Sequence, residues 1–203
     1  MRVRSSGTAA LLVEVDDLDE VLALYAALVA EPPDGVIDVV PASRTVLMVT
    51  APGTDLKAVT EAVRGVTPRP GGRVSDDLVE IETRYDGEDL SDLAEILGCD
   101  ERDIVRRHVE EEWTVAFCGF APGFGYLTGT RHSWDIPRRA TPRTRVPPGS
   151  VALAGEFTGV YPRESPGGWQ LLGRTDVAVF DIDRDPAALL RPGTRVRFVE
   201  VGS

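Results

Sequence analysis

Between Pro137 and Thr175 the chain reads PRRATPRTRVPPGSVALAGEFTGVYPRESPGGWQLLGRT, and here prolines and glycines recur too often for a long helix. Pro137, Pro142, Pro147, Pro148, Pro162 and Pro166 each fix φ and remove a backbone donor. Gly149, Gly155, Gly159, Gly167, Gly168 and Gly173 permit tight turns and close backbone approach. A rigid surface built mostly from loops and short strands is the expected result. Arg138, Arg139, Arg143, Arg145, Arg163 and Arg174 fall on it, together with Ser150, Thr158, Tyr161, Ser165, Trp169 and Gln170. Guanidinium forks recognise carboxylates and phosphates bidentately, so such a surface suits a compact, anionic, hydrogen-bonding ligand.

Charge sharpens this reading. The net charge is −11, from 22 basic and 33 acidic residues, yet residues 113–203 carry 11 bases against 8 acids while residues 79–112 carry 4 against 13. A basic island in an acidic chain argues against a broad nucleic-acid footprint and for a small anion pocket. The string DLAEILGCDERDIVRRH has helix-turn-helix spacing but lies in the most acidic segment, where phosphate contacts would be repelled. Its apolar residues are read as facing a core. The apolar run near the start is interrupted by Glu14, too soon for a signal-peptide core. No apolar run approaches the roughly 18 to 20 residues of a membrane span, and the expected location is cytoplasmic. Cys99 and Cys118 lack CxxC spacing and are read as buried free thiols, with no metal site expected.

Along the chain, Ala9–Val15 reads as a strand, 17–28 as an amphipathic helix with an acidic first turn, and Val36–Val40 with Thr45–Thr50 as a hairpin. A second helix over 54–63 is capped by Thr54 or Asp55. The β-α-β-β-α order is one strand short of a ferredoxin-like unit, and Leu78–Tyr85 either supplies that strand or begins the next domain. Gly65–Asp77 reads as a linker. A helical pair follows, the first ending at Gly98 as C-cap and the second starting at Asp100 as N-cap. From Trp113 onward, short runs at 114–117, 150–154, 159–161, 169–173, 176–180 and 194–201 read as strands of a barrel or sandwich, with a brief helix over 185–190. The expected organisation is therefore an α+β chain, with a small ferredoxin-like domain over 1–78 and a barrel or sandwich domain over 79–203.

FCGFAPGFGYL, from Phe117 to Leu127, lacks the spacing and the lysine of a Walker motif, so its aromatics are read as a pocket wall or a packed corner. His108 precedes the acidic run 110–112, which would raise its pKa if close in space. Neither His108 nor His132 stands in a recognisable Ser/His/Asp arrangement, and no GxSxG elbow is present. Arg143 and Arg174 are the arginines most constrained by neighbouring Pro or Gly, and they are the favoured pair for orienting a substrate or stabilising charge. Surface ion pairs with Glu156, Glu164 and Asp176 are the alternative. The SPGGWQ turn, Ser165 to Gln170, either clamps a small amide or closes a hairpin.

FCGFAPGFGYL, TPRTRVPPGSVALAG and TGVYPRESPGGWQLLGRT, in that order, resemble the signature blocks of the 5-oxoprolinase B-subunit family, also labelled allophanate hydrolase subunit 1 and including a sporulation histidine-kinase inhibitor. Pro148 stands where the family usually has alanine, and Gly125 where proline is common. The resemblance implies a cyclophilin-like β-barrel in the C-terminal domain, over 79–203. It implies action with a homologous C subunit and with an A subunit to open the lactam of 5-oxo-L-proline to L-glutamate, using Mg-bound ATP shared within the complex. In this expectation Arg143 stabilises developing charge and His108 or Tyr161 relays a proton. Phe120, Phe124, Trp169, Ser165, Gln170 and Arg174 bind the substrate. A regulatory module that docks on a sensor histidine kinase, or an amide-recognising component of an allophanate or urea pathway, is the alternative.

Overall fold

The computed structural model describes residues 1–68 and 78–202. The chain divides into two compact units, Met1–Val74 and Ser75–Ser203. Most of the stretch read as a linker, from residue 69 to 77, lies outside the described residues.

In the first unit, β1 (Arg2–Ser5), β2 (Ala10–Glu14), α1 (Leu18–Ala30), β3 (Val36–Pro41), β4 (Thr45–Thr50) and α2 (Leu56–Arg64) follow in order. Asp17 caps α1 by accepting the Glu20 amide at 2.9 Å, and Glu20 returns a bond to the Asp16 amide at 3.1 Å. Two orphan donors are thereby satisfied, and the acidic first turn complements the helix dipole. Val21, Leu24 and Leu28 bury one face of α1 against Leu11, Val13, Val46 and Met48 of the sheet. The sheet order is β1-β2-β4-β3, all antiparallel. The strand absent from the β-α-β-β-α pattern therefore comes from the N-terminal side. β1 reads RVRS and is mostly exposed, so it carries no hydrophobic alternation to betray it.

Leu78–Thr83 belongs instead to the second unit, as β5. There α3 (Leu90–Leu97), α4 (Glu101–Glu110), β6 (Trp113–Cys118), β7 (Gly125–Thr128), β8 (Arg143–Val146), β9 (Ser150–Ala154), β10 (Phe157–Val160), β11 (Ser165–Gly167), β12 (Gln170–Arg174) and β13 (Arg195–Glu200) follow. Seven of these strands form one sheet in the order β12-β9-β10-β7-β6-β13-β5, while β11 and β8 make a separate ribbon. The sheet curls until its edges meet. Just past β5, Arg84 exchanges backbone bonds of 2.8 and 2.9 Å with Arg174 at the end of β12, and the Gly87 amide reaches the Leu172 carbonyl at 3.0 Å. Side chains are excluded from this seam, because a Cβ on Gly173 would lie 2.1 Å from the Arg84 carbonyl and one on Gly87 2.2 Å from that of Leu171. The result is a nearly closed β-barrel and an α+β chain.

Alternation along the strands divides the second unit into two cores. Ile81, Trp113, Val115, Leu127, Val151, Leu153, Leu172 and Phe198 fill the barrel, with Leu90, Leu93, Ile104 and Val105 of α3 and α4 packed on them. Ala152, Ala154, Tyr161, Trp169 and Leu171 point the other way and form a second cluster with Phe124 and Val146. This is why SVALA in β9 is buried at every position. Gly98 ends α3 at φ +64, and Asp100 caps α4 by accepting the Asp103 amide at 2.7 Å.

Two expected elements are absent. Residues 176–180 form no strand, since the sheet edges have closed on each other and Phe180 makes only an isolated bridge with Ala188. Residues 185–190 form no helix. Pro186 disfavours helical backbone at Asp185, and the chain is drawn out by bonds of 2.9 Å from the Leu189 amide to Val179 and from the Asp181 amide to Ala187.

Candidate functional site

The outer cluster is an aromatic face. Phe124 lies at its centre, with ring centroids 5.1 Å from Tyr126, 5.3 Å from Tyr161 and 5.3 Å from Trp169, all in edge-to-face geometry. Such pairs contribute about 0.5–1.5 kcal/mol each beyond area burial. Missing side chains make the packing possible. A Cβ on Gly159 would sit 3.0 Å from the far edge of Phe124, and one on Gly167 2.3 Å from the Tyr161 hydroxyl.

Phe120 is different from its neighbours. The Ala121 amide bonds the Gly119 carbonyl at 2.6 Å, which places Phe120 at the centre of a three-residue turn with φ +62. Among the described residues it is the one non-glycine with positive φ. A bulky side chain in that region costs about 1–2 kcal/mol. The ring is nevertheless 56% exposed, and it stands edge-on over Phe124 at 5.3 Å and Tyr161 at 6.0 Å. Backbone strain that presents an apolar ring to solvent is a signature of a binding surface.

The same loop spends three of its amides on itself. The Gly119, Ala121 and Phe124 amides are spent on Phe124, Gly119 and Ala121 carbonyls within the loop. These three N–H groups are therefore closed to a phosphate.

The arginine island is organised by a carboxylate that sequence spacing did not single out. Asp89 is 1% exposed. Arg143 grips it with Nη1 at 2.9 Å and Nη2 at 2.8 Å, Arg139 adds an ion pair, and the Leu171 amide donates at 2.7 Å. Burial alone would raise the Asp89 carboxyl, but the Arg143 and Leu171 bonds and the two guanidinium charges outweigh it and hold it below the usual carboxylate range. Arg143 also reaches Glu88 at 3.1 Å. Its fork, expected to face a substrate, is thus occupied within the protein. Arg174 pairs with Asp86 at 2.8 Å and lines a separate depression of about 230 Å³ at the barrel seam with Glu82, Arg84 and Asp176. The two favoured arginines hold different carboxylates.

His108 lies inside the barrel. It is fully buried among the rings of Tyr85, Trp113, Trp134 and Phe198, with Nδ1 2.8 Å from the Tyr85 hydroxyl and Nε2 2.8 Å from that of Thr158. Burial pushes its pKa down to about 3, the opposite of the rise expected from the neighbouring acids. Those acids point elsewhere, since Glu111 accepts the amides of Thr130, Arg131 and His132 at 2.8 Å each. With both ring nitrogens bonded and no exposure, His108 offers nothing to a bound molecule. Its companion in the expected proton relay, Tyr161, is on the aromatic face, where burial raises the phenol while the charge of Arg138 draws it down.

The SPGGWQ segment does not act as one clamp. Ser165 bonds the Arg163 carbonyl at 3.1 Å and is buried in β11. Trp169 packs on the aromatic face, while Gln170, its neighbour, turns to the opposite side and donates to the Pro137 carbonyl at 3.1 Å. Of the expected residues, the structure gathers Phe120, Phe124, Tyr161 and Trp169 and separates His108, Gln170 and Arg174 from them.

A family model described as carboxyltransferase domain, subdomain C and D, matches residues 1–190. The chain belongs to this carboxyltransferase-domain family. It is 47% identical over 125 residues to the 5-oxoprolinase B subunit of Escherichia coli O157:H7, a match covering 60% of this chain and 57% of that protein. With the 5-oxoprolinase B subunit of Bacillus subtilis (strain 168) the identity is 42% over 127 residues, covering 61% and 53%. The matches thus span less than two thirds of the length of these curated relatives. Among solved structures, TTHA0988 is 36% identical with a TM-score of 0.78, covering 97% of this chain and 40% of that one. PH0987 from Pyrococcus horikoshii is 30% identical with a TM-score of 0.60, covering 100% and 98%. The K. lactis urea amidolyase shares the fold, with a TM-score of 0.74 at 19% identity, over 98% of this chain and 15% of its own. In this member of the carboxyltransferase-domain family, the aromatic face outside the barrel is the surface on which strain, exposure and ring chemistry coincide.

Proposed function

We propose that the chain is the B subunit of an ATP-dependent 5-oxoprolinase, acting with a homologous C subunit and with an A subunit to hydrolyse 5-oxo-L-proline to L-glutamate. One observation carries this reading: the 47% identity over 125 residues to a protein named as the B subunit of 5-oxoprolinase. The aromatic face supplies compatible chemistry. In this proposal the small lactam ring lies against Phe120, above Phe124, Tyr161 and Trp169, where water is displaced and electrostatic interactions strengthen. Asp89 and Arg143 brace the β8 side of the face. ATP is shared with the partner proteins, the amides of Gly119, Ala121 and Phe124 being spent within the loop.

The test is reconstitution. The three proteins together should release ADP and glutamate from 5-oxoproline, and this chain alone should release neither. Full turnover by an assembly lacking this chain, or turnover by the chain in isolation, would refute the shared-site reading.

A further inference from the structure

We propose that Arg138, rather than Arg143 or Arg174, receives the carboxylate of the substrate at the aromatic face; this rests on the reading of the chain as a 5-oxoprolinase component. The backbone fixes the location. Gln170 Nε2 bonds the Pro137 carbonyl at 3.1 Å and the Arg139 amide bonds the Gly168 carbonyl at 2.8 Å, so Pro137–Arg139 runs beside Gly168–Gln170. Arg139 turns its side chain to Asp89. Arg138 lies between the two tethering bonds and so stands beside Gly168 and Trp169. Its positive charge acts on the phenols of both Tyr126 and Tyr161, as expected for a guanidinium beside that face.

Availability separates Arg138 from the rest of the island. Arg139 and Arg143 hold Asp89, Arg145 holds Glu164 and Arg174 holds Asp86. Arg138 is exposed and pairs with no carboxylate among the described residues. Arg163 is exposed and lacks such a partner too, but it is not among the charges acting on either phenol. A free fork at the rim of an apolar floor matches a ligand whose carboxylate is attached directly to a compact ring. The ring rests on Phe120 and the carboxylate meets the fork.

Calorimetric titration of the full chain separates the outcomes. The probes are 5-oxo-L-proline and 2-pyrrolidinone, the same lactam without the carboxylate. Arg138→Gln should weaken 5-oxoproline binding roughly 10- to 100-fold, the range for a lost charged hydrogen bond, and leave 2-pyrrolidinone binding as in the parent. Arg138→Lys should recover only part of the loss, because an ammonium lacks the fork. Arg145→Gln should change neither ligand. Unchanged 5-oxoproline affinity in Arg138→Gln, equal loss of both ligands, or no binding of 5-oxoproline by the parent chain would each overturn the assignment. Arg138-dependent binding without turnover by the assembled complex would sink the oxoprolinase reading alone. Turnover with an unchanged KM in Arg138→Gln would sink the Arg138 assignment alone.

Discussion

Asp89 stands at the N-cap of α3 yet makes no capping bond there, giving its carboxylate instead to Arg143 of β8. The side-chain cap is forgone and a loop-rich arginine strand is anchored in its place. Breaking that anchor leaves guanidinium groups and the Leu171 amide without their acceptor. Asp89→Asn should therefore destabilise the second unit by about 2–4 kcal/mol, the lower part of this range reflecting solvent that reaches Arg139, as read from a shift of the urea midpoint. A midpoint within error of the parent would show the carboxylate to be dispensable.

The same carboxylate predicts acid behaviour. Its folded-state pKa is depressed, so its contribution is full above the unfolded value of about 3.9 and is lost as pH falls through the lower folded value. Below about pH 3.9 the parent should lose stability more steeply than Asp89→Asn. Parallel acid-unfolding curves for the two proteins would contradict this.

His108 governs a higher window. Its pKa falls from the usual 6.5 to about 3 on burial, so between those values the unfolded chain binds the proton that the folded chain refuses. Stability should be full above about pH 6.5 and decline by about 1.4 kcal/mol per pH unit below it. The ring resonances of His108 in NMR spectra should show no titration between pH 8 and 5, whereas a midpoint near 6.5 would place the imidazole in water.

Phe120 lends itself to a paired substitution. Phe120→Gly removes both ring and strain, while Phe120→Ala removes the ring and keeps a Cβ at positive φ. The glycine variant should be the more stable of the two by about 1 kcal/mol in thermal unfolding. Both should bind 5-oxoproline more weakly than the parent. Equal melting temperatures would mean that the turn relaxes around the alanine.

At the barrel seam, Gly173→Ala drives a methyl against the Arg84 carbonyl, a backbone atom that cannot rotate away. A loss of about 1–3 kcal/mol is expected, together with faster amide exchange at Arg84 and Arg174. Retained protection at both amides would show that the seam adjusts without opening.

Much of this is legible from residue pattern. Ser150–Ala154 announces its strand, and Gly98 and Asp100 announce the break between helices. The aromatic wall is visible in FCGFAPGFGYL. What spacing hides is partnership at long range: Asp89 lies 54 residues before Arg143, and the natural reading of an aspartate before an apolar helix is a cap. Facing, by contrast, is open to a reader of the sequence. Trp169 and Gln170 are consecutive at the start of β12 and turn to opposite sides, so they do not address one ligand together. For His108 the acids nearby in sequence suggest a raised pKa, but the Glu111 carboxylate is tied to backbone amides 19 to 21 residues downstream and the imidazole is enclosed by rings.

The position of β13 between β6 and β5 bears on how the polypeptide is made. Its parallel register with β5, from Leu78 against Arg195 to Thr83 against Glu200, joins segments separated by most of the second unit. A ribosome-bound chain that has not yet released residues 195–200 holds β5 and β6 as two open strand margins with nothing between them. Such margins invite pairing with other chains. Closure of the barrel therefore waits until residues 195–200 have left the ribosome, and truncation within β13 should yield aggregates in place of a shortened monomer.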